Sequence, residues 1–216
     1  MRHAARFAFA ILAIVALVMS GCVISKNALS DPEKAEVDPA LCGVWEAADK
    51  GESIELMAIG VPPAGKLPKG FLMLRGIKFD SSKTLNVDTP MLFFVSKIGD
   101  QEYWNLIANP SPEGDTPENF LATFDFSEWL KHPKHGYMLV RCVRSKDQMT
   151  LHTMDTEATS KVVMAGKLKG DIERDQNKRV SSVTLTDSTD VLRTYLKDNA
   201  ATMFTDEGKE RYRRIR

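Results

Sequence analysis

The first 22 residues decide how much of this chain is available to fold. Arg2, His3 and Arg6 make a basic head with no acid beside it, and residues 7–18 are apolar without interruption. A run of that length matches the core of a secretion signal and is too short to span a bilayer. Small residues follow, and Met19-Ser20-Gly21 lead directly into Cys22. Residues 1–21 therefore read as a leader removed on export, which leaves 195 residues, enough for one good-sized core. Those residues carry 27 Lys and Arg against 29 Asp and Glu. So even a balance argues against nucleic acid as a main partner, because phosphate binding needs a basic face that dominates the field.

Met19-Ser20-Gly21-Cys22 resembles the lipobox of bacterial lipoproteins, in which an apolar residue and two small ones precede the cysteine that becomes the new N-terminus. The resemblance implies lipidation of Cys22, with a diacylglyceryl thioether and an amide-linked acyl chain such as palmitate. Several chains burying their methylenes at about 0.8 kcal/mol each make a permanent anchor, so the membrane is the first expected partner. It also implies the cell envelope. Val23, standing where an Asp would favour the inner membrane, favours the periplasmic face of the outer membrane. Residues 22–40 are polar and hold Pro32 and Pro39, and they read as the lipidated cysteine and a flexible tether. Asp31 and Pro32 have the form of a short helix start within it. A single domain is expected over residues 41–216.

With Cys22 lipidated, Cys42 and Cys142 remain, an even number in an oxidising compartment. A disulfide between them would close a loop of about 100 residues, for which chain entropy gives roughly 4–5 kcal/mol. The alternative is two separate thiols packed as small apolar groups.

From residue 41 onward, apolar runs and turn signals alternate at the spacing of an antiparallel meander. Ile54, Leu56 and Ala58 share a strand face, and residues 71–79 form a second run. Residues 91–95 are apolar at every position, as in a strand buried on both faces or covered by a helix. Phe120, Ala122, Phe124 and Phe126 alternate with Leu121, Thr123 and Asp125, a mostly polar face, and the three rings read as inward-pointing strand positions, followed by a helical turn over 127–131. Residues 137–143 and 149–154 form a hairpin. Ala158, Val162 and Ala165 fit a helix ended by Gly166, although residues 162–164 also suit a strand, and residues 169–178 read as a charged loop. Residues 180–185 form a strand, and Asp187 caps a helix with a stripe of Val191, Leu192, Tyr195, Leu196 and Met203. The expected class is mainly β, an antiparallel meander or barrel with one or two peripheral helices in the C-terminal third.

Gly43-Val44-Trp45, at the start of the first expected strand, resembles the G-x-W that opens the barrel of lipocalins. The resemblance implies a barrel with Gly43 at a tight turn and Trp45 plugging the closed end beneath Arg213 or Arg214. Stretches such as GYMLVRCVR at 136–144 and VTLTDST at 183–189 also resemble uncharacterised bacterial lipoprotein families, which imply no activity.

Little in the chain points to catalysis. His132 and His135 flank Pro133, which breaks helical geometry, and no Cys or carboxylate cluster accompanies them, so no metal site is expected. His152 lies in a strand. No nucleophile elbow, zinc-binding helix or phosphate loop occurs, and Asp125 with Glu128 is an ordinary acid pair. No cofactor and no catalytic residue are expected. Two functions of different class remain. One is a lipid-anchored protein binding a small apolar ligand in its barrel, with Phe93, Phe94, Phe120, Phe124 and Phe126 lining the pocket. The other is an interaction lipoprotein with a filled core, working through its surface on envelope partners.

Overall fold

A computed structural model describes residues 22–48, 54–63, 66–79, 85–87, 90–108, 123–132 and 135–215. In chain order these form β1 (Cys22–Ser25), β2 (Gly43–Ala47), β3 (Ile54–Gly60), β4 (Leu72–Phe79), β5 (Leu85–Val87), β6 (Met91–Ile98), β7 (Gln101–Ile107), α1 (Phe126–Lys131), β8 (Tyr137–Arg144) and β9 (Gln148–Thr153). Then come α2 (Thr156–Met164), β10 (Gly170–Arg174), β11 (Val180–Leu185), α3 (Thr189–Met203) and β12 (Glu210–Arg214).

The period-two alternation of these strands closes on itself. Antiparallel pairings run β2–β3–β4–β6–β7–β8–β9–β12 and back to β2, a closed eight-stranded barrel. The chain is thus mainly β, with α2 and α3 in its C-terminal third. Because side chains alternate across a strand, each strand divides its apolar residues between two cores. Trp45, Met57, Leu72, Phe93, Trp104, Val140, Met149 and Tyr212 face the barrel interior. Leu92, Phe94, Tyr103, Ile107, Tyr137 and Leu139 face outward into a second core. This second core explains the unbroken apolar run of β6, which is buried on both faces.

The second core is covered by residues 22–29 and 154–204. β1 pairs in parallel with β11, and antiparallel with β8 at Tyr137, extending the sheet beyond the barrel. β10 completes this extension. α2 packs on β11, β1 and β10, and α3 on α2 and β6. Residues 22–40 are therefore part of the fold and not a tether. Val23 and Leu29 are buried in the outer core, and the Leu29 N–H donates to the side-chain oxygen of the fully buried Asn105 at 2.7 Å. Pro32–Lys34 form one 3-10 turn capped by Asp31. Gly70 is required beneath this arm, since a Cβ there would lie 2.1 Å from the Ala35 carbonyl oxygen.

Four local expectations are revised. Phe126 is the first residue of α1, because Asp125 accepts hydrogen bonds from the Ser127 and Glu128 N–H groups and so caps a helix where alternation suggested a strand. Phe120 lies outside the described residues. Residues 170–174, read as loop, form the edge strand β10, whose residues are exposed or only partly buried, so no apolar period marks them. Ser188 occupies the cap position of α3, and Asp187 instead accepts the Lys169 N–H at 2.5 Å. Within α3, Leu192, Leu196, Ala200 and Met203 are buried, while Val191 is exposed.

Candidate functional site

The barrel has one sealed end. Trp45, Trp104 and Phe93 are fully buried there, and Phe93 stacks on Trp104 with centroids 4.5 Å apart. The Trp45 indole N–H donates to the Leu41 carbonyl at 3.0 Å. Arg214, from the last strand, lies over the indole at 5.4 Å and donates to the Ala40 and Cys42 carbonyls at 2.8 and 2.6 Å. Gly43 sits between these carbonyls and Trp45 with φ of 144°, a conformation that favours glycine. Arg213 points outward to Glu46 at 2.5 Å. Alternation along β12 thus assigns the two arginines different jobs.

A partly buried ionic cluster completes this end. Arg144 donates to Asp38 and to Glu102, the latter at 3.1 Å, and Glu102 accepts the Trp104 indole N–H at 3.1 Å. Burial acts upward on the Asp38 carboxyl. The hydrogen bond from Arg144, a backbone hydrogen bond from Ala40 and the nearby positive charges outweigh it, so the carboxyl is held below the usual range. Its members lie far apart in the chain, so no local sequence pattern marks it.

Toward the opposite end the lining changes. Met91, Met138 and Leu151 pack against the interior core yet are only partly buried. Gly76, in register with Met57, contributes no side chain. At this rim Glu55 pairs with Lys78 at 2.7 Å, and the Tyr212 hydroxyl donates to Glu210 at 2.5 Å. Burial, together with Glu210 and Glu55, pushes the Tyr212 phenol upward. Chemically this is an apolar, methionine-rich half-barrel with a polar rim.

The aromatic set expected to line one pocket is divided by the barrel wall. Phe93 is inside. Phe94, Phe124 and Phe126 belong to the outer core, where Phe71 bridges Phe94 and Phe126 at 5.1 and 4.9 Å. Cys42 and Cys142 are separate free thiols, Cys142 inside the barrel and Cys42 packed against the interior core. Burial first, and Glu102 second, push the Cys142 thiol well up. His135 makes a local contact, its Nδ1 2.7 Å from the His132 carbonyl oxygen, and packs against Trp129. His152 Nδ1 lies 3.3 Å from the Thr205 carbonyl.

Two cavities lie against the outer parts of the fold. One, of about 660 Å³, is lined by Lys26, His135 and Arg193 together with Asp31 and Asp190 near the start of α3. The other, of about 580 Å³, opens where β8 exchanges one neighbour for another. β8 pairs with β1 at Tyr137 and with β9 from Val140 onward, so Met138 and Leu139 lie between the two ladders. Both residues line this cleft, and so does Cys22, whose half-buried thiol is pushed up by burial. No family model, curated protein or solved structure matches the chain.

Proposed function

We propose that this is a lipid-anchored protein of the cell envelope, held through Cys22 on the periplasmic face of the outer membrane, whose barrel takes a small apolar ligand at its methionine-rich end. One observation carries the binding reading. Inward-facing Met91 and Leu151, with Met138 shared with the cleft beside β8, remain partly exposed at one end of a barrel whose other end is sealed by fully buried rings. Methionine is unbranched and polarizable, which suits a lining that adapts to an apolar guest. The lipocalin-like pairing of Trp45 with Arg214 supports a cup in preference to a through-channel.

Native mass spectrometry of protein extracted from its own membrane tests both parts at once. The expected spectrum carries the mass of a lipidated Cys22 and a second, dissociable apolar adduct. Saturable binding of a fluorescent fatty-acid probe, abolished by Met91→Trp, is the solution counterpart. A second reading, an interaction lipoprotein with a filled core, is favoured by the complete burial of Trp45, Trp104 and Phe93 in the sealed half. It predicts no adduct, no probe binding, and co-purification with an envelope protein.

A further inference from the structure

We infer that the cleft beside Cys22 holds the glyceryl portion of the lipid on this cysteine, so that the domain is fixed to the membrane by this face without a spacer. The inference rests on the acylation of Cys22 proposed above. Cys22 is in register with Ser182 of β11 and is followed at once by Val23, only 6% exposed. An anchor residue that is itself part of a sheet cannot swing away from the domain it anchors. Cys22 lines the 580 Å³ cleft, so a substituent on this residue starts at its edge.

The lining fits a neutral diester better than a phospholipid headgroup. Val23, Leu139, Met154 and Val180 supply the apolar part of the cleft's lining. Asp155, Glu157 and Glu207 set three carboxylates against the single Arg179. Such a balance repels a phosphate and tolerates the uncharged ester groups of a diacylglyceryl thioether. Membrane contact then falls on the β10–β11 hairpin, because Ser182, the partner of Cys22, lies opposite Glu173 close to its turn. Arg174 there donates to the Lys178 carbonyl at 2.9 Å.

Photocrosslinking in the full, processed chain tests this. Benzoylphenylalanine is placed in turn at Val180 and at the exposed Glu207, both lining the cleft, and at exposed Asp147 in the β8–β9 turn as a control. The protein is held in nanodiscs of phosphatidylethanolamine and phosphatidylglycerol and illuminated, and its peptides are identified by mass. A covalent link from position 180 or 207 to the lipid of the N-terminal Cys22 peptide, absent from position 147, is expected. Lipid present on Cys22 with links only to bulk phospholipid, or to none, overturns the berth while leaving the anchor intact. An N-terminal peptide without lipid overturns both. Using two cleft positions keeps the outcome readable if one substitution disturbs folding.

Discussion

Arg214 lies over Trp45 with its guanidinium carbon 5.4 Å from the ring centroid, while the same group donates to two carbonyls of the segment that crosses the sealed end. One side chain therefore joins the last strand, the first barrel strand and the covering segment. Arg214→Ala removes a cation–π contact worth about 0.5–2 kcal/mol and two charge-assisted hydrogen bonds. A loss of about 2–3 kcal/mol is expected, a fall of roughly 4–10 °C in Tm. Arg213→Ala breaks only a pair whose arginine is 69% exposed, and its cost is within about 1 kcal/mol. Thermal melts of the two variants side by side check the contrast.

Asn105 holds the N-terminal arm to the barrel wall. It is fully buried, accepts from Leu29, and donates to the Phe94 carbonyl at 3.2 Å and the Ser96 hydroxyl at 2.8 Å. Asn105→Leu keeps the branching and heavy-atom count of the side chain but leaves the Leu29 N–H without a partner in an apolar setting, a cost of about 1–3 kcal/mol. The barrel core is untouched, so the damage is local. Hydrogen exchange and limited proteolysis are expected to show residues 22–38 opening well before the barrel strands.

That arm also marks what a sequence can and cannot disclose. The unbroken apolar run of β6 announces burial on two faces, because each side of the strand meets a core and neither position is free to be polar. Residues 22–40 look like a tether because their few apolar residues have no period. Yet Val23 and Leu29 are buried, through contacts with residues such as Asn105 that no local pattern could nominate. The phenylalanines at 124 and 126 mislead for a related reason. Period two holds across them, but Asp125 between them is a helix cap, and the cap geometry decides the local structure. The ionic cluster of Asp38, Glu102 and Arg144 joins three segments that only the closed barrel brings together.

The same cluster gives a pH signature. Asp38 is held below the usual carboxylate range in the folded state, so its contribution is fully present above the unfolded value near 3.9. It is lost as pH falls through the lower, folded value. Asp38→Asn is expected to lower the urea midpoint at pH 7 and to flatten its decline between about pH 4 and pH 2, relative to the parent chain. An acid limb of equal slope in both proteins assigns the acid sensitivity to other carboxylates.

Cys42 and Cys142 offer a direct check on the interior. Cys142 is 4% exposed and its thiol is pushed up by burial and by Glu102, which leaves little thiolate at working pH. Cys42 is only partly buried, in the segment that crosses the sealed end, and packs against the interior core. In a Cys22→Ser chain at pH 8, iodoacetamide is expected to add once rapidly, at Cys42, and a second time only as fast as the barrel opens. Denaturant then brings both thiols to the same rate. Intact-mass measurement separates this from an oxidised chain, which is two mass units lighter and takes up no label at all. That second pattern would mean the two sulfurs meet, and the sealed end would have to be packed differently around Trp45 and Arg214 for them to do so.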